Sequence, residues 1–165
     1  MRQQSTAFLA RRGYRVAPVT VDNSDWIFAR AYDAALAAHD GALARRIRTD
    51  YVAYMLAKVR YYRAQARQLF HREIPQVLLV HANRINADAF GDLAGALAAD
   101  GARFVSLAAA VSDRAYQSPD SRYFGPSGIS WIHRWALTAG VKKSFFAGEP
   151  RTPEYVLRLA NVDSE

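Results

Sequence analysis

The sequence predicts an α/β fold in which parallel strands alternate with long helices. Three short segments rich in apolar and β-branched residues, 14–21, 74–80 and 103–107, are separated by stretches of helical periodicity. The second segment is apolar on both faces, which is typical of a parallel strand covered by helices. The order helix, strand, helix, strand, helix, strand favours right-handed crossovers between parallel strands.

The first helix is expected over residues 2–12, with Phe8 and Leu9 on its buried side. The first strand follows at residues 14–21. Pro18 lies within this strand, and because proline cannot donate a ladder hydrogen bond, it indicates an edge position or a bulge.

A long helical stretch over residues 27–70 is expected to break near residues 40–41. In its second half, large side chains recur close to helical spacing and most basic residues fall between them. A row of tyrosines can form a sugar-stacking surface, but such a stripe more often belongs to the core, so we predict that it packs inside. The stripe comprises Ile47, Tyr51, Tyr54, Met55, Val59, Tyr62, Leu69 and Phe70.

The rest of the chain predicts a helix over residues 87–100, a third strand at 103–107 and a short helix that ends near Asp113. The sequence beyond this helix is typical of loops, with short helices predicted near residue 131 and near residue 153. We therefore divide the chain into a body, residues 1–115, and a tail, residues 116–165, packed on the same domain.

The composition of the chain excludes some classes of function and disfavours others. The chain has 165 residues and a net charge of +7, but its arginines are spread along helices, which favours a solvated surface over nucleic-acid binding. There are no cysteines, so disulfides and Cys-ligated metals are excluded. No apolar run approaches the roughly 18 residues of a membrane span. The polar, Arg-containing first twelve residues are not a signal peptide, and localisation stays open.

Titratable side chains follow two of the predicted strands. Asp22 and Asp25 come directly after the first strand, and His81 comes directly after the second. Since parallel strands end at the same edge of a sheet, we expect a carboxylate and an imidazole to lie side by side there. An aspartate that caps a helix and a hydrogen-bonded histidine at a strand end are also common structural features, so this pattern alone leaves both interpretations open.

Four segments give the chain a resemblance to the polysaccharide deacetylases, the nodulation-type carbohydrate esterases. DNSDW at residues 22–26 resembles their Asp-Trp motif, and the Leu-Val-His of residues 79–81 resembles their Leu-x-His motif. GARFVSL at residues 101–107 and FGPSGISWIHRW at residues 124–135 resemble later segments of the family. The resemblance covers essentially the whole chain and implies the C-terminal portion of a distorted (β/α) barrel.

The resemblance also implies an activity, the metal-dependent hydrolysis of acetyl groups from a carbohydrate polymer. His81 would be the general acid that protonates the leaving amine or alkoxide, a role suited to a group that titrates near neutral pH. Asp25 would orient or tune its catalytic partner. Trp26 would form a wall of the sugar groove, Leu79 would line the acetyl pocket, and Asp22 would belong to the substrate-binding loop.

The family's metal-binding motifs are missing. The sequence has no Asp-Asp pair and no His-x-x-x-His pair, so the resemblance implies no metal ligand on this chain, although the complete enzyme would hold a divalent metal, with zinc expected. We expect a truncated chain, inactive alone, whose partners are a carbohydrate polymer and either the missing N-terminal half or a second copy. The alternative is a non-catalytic remnant that keeps the fold for binding or assembly.

Overall fold

A computed structural model describes residues 2–120, 122–125 and 128–165. Within these residues the chain forms seven α-helices and two short 3-10 helices. The α-helices are α1 Arg2–Arg11, α2 Asp25–Ala37, α3 Gly41–Phe70, α4 Arg84–Ala99, α5 Leu107–Val111, α6 Trp131–Ala139 and α7 Glu154–Ala160, and the 3-10 helices are Arg114–Gln117 and Lys143–Phe146. None of the helices in the described part is long and apolar enough to cross a membrane.

The prediction of an α/β fold with a partial barrel of parallel strands is wrong. Over the described ranges the β-structure is a single parallel bridge between Val21 and Leu78. The amide groups of Thr20 and Val21 both donate to the Val77 carbonyl at 3.0 Å, and the Leu79 amide donates to the Val21 carbonyl at 3.2 Å. Two of the three predicted strands therefore do run side by side, but they do not grow into a sheet.

The third predicted strand shows why the sheet prediction failed. Residues 103–106 form no bridge, and Phe104 and Val105 are 64% and 60% exposed. Leu107, expected to end the strand, begins α5. Apolar and β-branched composition measures how well a segment would fit a half-buried pleated surface, but a ladder also needs a neighbouring extended segment. In the described part of the chain this segment has none.

Helix α2 lies at the centre of the helical body, where it packs against α3, α4 and α7. Ile27, Phe28 and Ala31 are completely buried on it, and Tyr32 and Ala35 are nearly so. Their spacing places them along a broad apolar face of one helix. Asp25 opens the helix, where a negative charge interacts favourably with the helix dipole.

Helix α3 confirms two predictions from the sequence. The helix begins at Gly41, and the side chain of Asp40 caps it by accepting a hydrogen bond from the Leu43 amide at 2.9 Å. The predicted break near residues 40–41 is therefore present. Six of the eight stripe residues are buried as predicted, and Leu69 and Phe70 are partly buried against the same core. The six have exposures of 7% or less: Ile47, Tyr51, Tyr54, Met55, Val59 and Tyr62. These side chains belong to the core and leave no row of tyrosines open to a sugar.

The prediction that Phe8 and Leu9 are buried is wrong. They are 46% and 38% exposed on α1. The Arg12 guanidinium lies 3.8 Å from the centre of the Phe8 ring, so a cation covers part of this aromatic side chain.

The tail returns to the body at several points. Helix α6 packs against α3 and α7 packs against α2. The Trp135 ring lies 5.7 Å from the Phe70 ring and 5.6 Å from the Tyr116 ring. The Trp131 amide donates to the Val19 carbonyl at 2.8 Å, and the Ser130 hydroxyl donates to the Thr20 carbonyl at 2.6 Å. The tail thus hydrogen-bonds the extended segment that leads to Asp25.

A fork of hydrogen bonds from Arg72 to Asp113 ties the end of α3 to the turn after α5. The two terminal nitrogens of Arg72 donate to the carboxylate at 2.8 and 2.5 Å, and the Ala115 amide donates to it at 2.8 Å. These hydrogen bonds lower the pKa of Asp113 below its usual value, and the bonds from Arg72 have the largest effect.

Asp113→Asn is expected to lower the melting temperature at pH 7 by about 2–4 °C. Because the pKa of Asp113 is lower in the folded chain, Asp113 stabilises the fold fully at any pH above its pKa in the unfolded chain, about 3.9. This stabilisation is lost as the pH falls through the pKa of Asp113 in the folded chain. The difference from the unmutated chain should therefore shrink in melting curves recorded between pH 5 and about pH 2. Asp33→Asn, at an exposed position on α2, is the control. A difference in melting temperature between Asp113→Asn and the unmutated chain that stays constant over this pH range would contradict the prediction.

Candidate functional site

The bridge between Val21 and Leu78 brings together the two loops that were predicted to carry the chemistry. Just beyond it, the Asn23 side-chain amide donates to the Leu79 carbonyl at 2.7 Å. The same Asn23 side chain accepts a hydrogen bond from the Asp25 amide at 3.0 Å. Asn23 thus fixes the turn into α2 against the segment that leads to His81.

Asp25 and His81 form a hydrogen-bonded pair. One carboxylate oxygen of Asp25 lies 2.6 Å from Nδ1 of His81, and the other accepts from the His81 backbone amide at 2.8 Å. Asp25 is completely buried, whereas the His81 side chain is 52% exposed. The prediction that the two side chains lie side by side is confirmed, although they meet beyond one bridge and not at the rim of a sheet.

This geometry gives His81 a defined orientation. Asp25 occupies Nδ1, so Nε2 is the ring nitrogen that remains to meet a ligand. A carboxylate at Nδ1 fixes the tautomer of the ring and complements its positive charge when it is protonated. A histidine held in this way can transfer a proton at Nε2, which is the chemical capability of the site.

Asn86 and Tyr51 support the pair, a role that was not predicted for them from the sequence. The Asn86 side-chain amide donates to Asp25 and to the His81 carbonyl, at 2.8 Å in each case. Its oxygen accepts from the buried Tyr51 hydroxyl. Burial, followed by the nearby charge of Asp25, raises the pKa of Tyr51, so the phenol remains a donor. An asparagine in the first turn of the helix after His81 was the available signal.

The other predicted site residues line one open cavity beside the pair. Asp22, Trp26, Leu79 and His81 all contribute to its wall, and its volume is about 1590 Å³. Trp26 is 42% exposed although it follows the buried Asp25. Burial raises the pKa of Asp22 above its usual value. The structure thus places all five predicted residues at or next to one cavity.

A second polar cluster on the cavity wall was not predicted. Lys58 is 4% exposed although it lies on the long helix whose basic residues were expected to face solvent. Its Nζ lies 2.7 Å from a carboxylate oxygen of Glu149 and 3.3 Å from one of Glu165. The Tyr62 hydroxyl donates to the same Glu149 oxygen at 2.6 Å. A buried lysine is costly unless it is paired, and these acids pair it.

The described side chains do not fit the zinc ion that the resemblance implies. They include no group of three or more His, Cys, Asp or Glu side chains that could hold a metal ion. A catalytic zinc site typically takes three protein ligands and a water.

The described fold and site define a helical body with a carboxylate–histidine pair at the wall of an open cavity. Comparison with known proteins found no matching family model, no matching curated protein and no matching solved structure.

Proposed function

We propose that this chain supplies the general acid and part of the sugar groove of a metal-dependent polysaccharide deacetylase. The observation that carries the proposal is the pair in which buried Asp25 holds Nδ1 of His81 at 2.6 Å. It joins the two sequence motifs that resemble the family. Trp26 and Leu79 line the same cavity, as a wall of the groove and as part of an acetyl pocket should.

In this proposal His81 acts when the acetyl group leaves the sugar. Hydrolysis of an amide or ester passes through a tetrahedral intermediate, whose collapse expels an amine or an alkoxide. The Nε2–H of His81 donates its proton to that nitrogen or oxygen as the bond to the acetyl carbon breaks, and acetic acid or acetate is released. Asp25 keeps Nδ1 protonated and the ring in place throughout.

The chain alone is expected to release no acetate at a useful rate. It lacks the family's Asp-Asp and His-x-x-x-His motifs, so nothing in it corresponds to the family's means of generating the attacking hydroxide. The measurement is acetate release from acetylated chitooligosaccharides, with and without added zinc, together with calorimetric titration of zinc. Stoichiometric micromolar zinc binding, or acetate release that His81→Ala abolishes, would contradict this expectation.

Restoration of activity by the missing part tests the family assignment itself. The DNA upstream of Met1 should encode, in frame, an Asp-Asp pair and a His-x-x-x-His pair. The extended polypeptide, or the two parts produced separately and mixed, should then release acetate. An extended polypeptide that carries these motifs, binds zinc and still releases no acetate would overturn the proposal.

The second candidate is a non-catalytic chain used for binding or assembly. It is favoured by the large apolar side chains that the described surface exposes, including Phe90, Phe104, Val105 and Leu107 at 47–64%. Three of these residues, Phe104, Val105 and Leu107, lie close together along the chain, and a contiguous apolar surface is typical of a face that another molecule covers. A stop codon and a ribosome-binding site just upstream of Met1 would favour this candidate, because no metal-binding part would then be joined to the chain.

A further inference from the structure

The side chain of Glu165 occupies a pocket in the wall of the cavity. One of its carboxylate oxygens accepts from the Ser24 hydroxyl at 2.8 Å and from the Tyr54 hydroxyl at 2.7 Å, and lies 3.3 Å from Nζ of Lys58. The other accepts from the Thr152 backbone amide at 2.8 Å. Four donors, two of them one turn apart on α3, therefore converge on one carboxylate, whose side chain is only 22% exposed.

These donors, which we call the Lys58 pocket (Ser24, Tyr54, Lys58 and Thr152), have supports of their own. The Tyr54 ring packs against Phe28 with 4.9 Å between centroids, and its hydroxyl also accepts from the Ser24 amide at 3.0 Å. Lys58 is paired with Glu149 in addition to Glu165. The pocket is therefore expected to keep its shape when the Glu165 side chain leaves.

The pocket is suited to an ionised carboxylate. Burial by itself would raise the pKa of Glu165, but the hydrogen bonds from Thr152, Tyr54 and Ser24 together with the charge of Lys58 lower it below its usual value. Hydrogen bonds to a charged acceptor are stronger than those between neutral groups. Because Glu149 already balances the charge of Lys58, these hydrogen bonds provide most of the recognition, and a free ligand should bind weakly.

The Lys58 pocket and His81 share one cavity. Ser24 immediately precedes Asp25, so a single turn supplies a donor to the pocket and the carboxylate that orients His81. We propose that the Lys58 pocket binds a carboxylate of the substrate, that the substrate is an acidic polysaccharide, and that Glu165 occupies the pocket until a sugar carboxylate displaces it. The substrate role of this pocket rests on the proposed function.

The test compares glucuronate with glucose, which is neutral but otherwise similar, in nuclear magnetic resonance titrations of the chain. Glu165→Ala should bind glucuronate at least about tenfold more tightly than the unmutated chain does, because the tethered carboxylate no longer competes at its high effective concentration. Glucose should bind neither form measurably. Asp33→Ala removes one exposed negative charge from α2 and should leave the affinity for glucuronate unchanged.

A second set of variants asks whether binding occurs in the Lys58 pocket. In the Glu165→Ala background, Ser24→Ala and Lys58→Gln should each weaken glucuronate binding at least about tenfold, the lower end of what one hydrogen bond to a charged group contributes. Ser24→Ala is the safer variant, since Lys58 is buried in an ion pair that the fold needs. The proposal would be overturned if the unmutated chain and Glu165→Ala bound glucuronate with equal affinity, or if neither showed saturable binding. It would also be overturned if Ser24→Ala did not change the affinity for glucuronate.

This experiment separates the pocket from the proposed function. Binding of glucuronate is measured without hydrolysis, and none of the variants touches Asp25 or His81. If glucuronate does not bind, the proposed role of His81 as a general acid is unaffected. If it binds as expected while the extended polypeptide fails to deacetylate, the proposed function falls and a carboxylate-binding site remains.

Discussion

Asp25→Ala should destabilise the chain by about 2–4 kcal/mol, the largest loss expected for a single substitution at the site. Asp25 is completely buried, and its carboxylate accepts three hydrogen bonds, from the backbone and the ring of His81 and from Asn86. Alanine leaves the buried amide of Asn86 without one of its acceptors. It also leaves the backbone amide of His81 without its partner, so the loop would separate from α2.

Urea unfolding followed by circular dichroism provides the measurement, with Asp22→Ala as the matched control. Asp22 lies in the same loop, but its side chain accepts a single local hydrogen bond, from the Asn23 amide at 3.1 Å. Its replacement should cost less than about 1 kcal/mol, the typical net contribution of one hydrogen bond. Equal losses for the two variants would show that Asp25 is not the centre of a hydrogen-bonded network.

The features that could be predicted from the sequence depend on neighbours along the chain. The cap at Asp40, the buried stripe of α3 and the positions of Asp25 and His81 just after extended segments all follow from local pattern. Whether the extended segments would pair into a sheet could not be predicted in this way. Val21 pairs with Leu78, but the apolar segment at 103–106 finds no partner in the described part of the chain. Composition cannot reveal whether such a partner exists.

The cavity depended on contacts between distant parts of the chain. The burial of Lys58 could not be predicted, because the side chains that pair with it, Glu149 and Glu165, lie far away in the tail. Asn86 gave a weaker local signal, since asparagine in a first helical turn is usually explained by hydrogen bonding to the backbone. The roles of Lys58 and Asn86 can be assigned only when the fold shows which charged groups they contact.

Under the proposed function, His81→Ala should reduce kcat/KM of the extended polypeptide for an acetylated sugar by about 10²–10⁴-fold, the usual contribution of a general acid. The reason is the poor leaving group, because an amine or an alkoxide of high basicity must receive a proton as the bond to the acetyl carbon breaks. The His81 side chain is half-exposed, with its Nδ1 hydrogen-bonded to the buried Asp25. The substitution should therefore leave the unfolding transition much closer to that of the unmutated enzyme than Asp25→Ala does.

The choice of substrate separates a general acid from a residue that only shapes the site. An aryl acetate such as 4-nitrophenyl acetate expels a weakly basic phenolate that needs no proton, so His81→Ala should lose far less activity on it than on an acetylated sugar. Trp26→Ala is the control, because Trp26 lies in the cavity wall and takes no part in proton transfer. It should raise KM for the sugar, and its effect on kcat should be small. An equal loss of kcat/KM on both substrates in His81→Ala would show that His81 positions the reacting groups and does not protonate the leaving group.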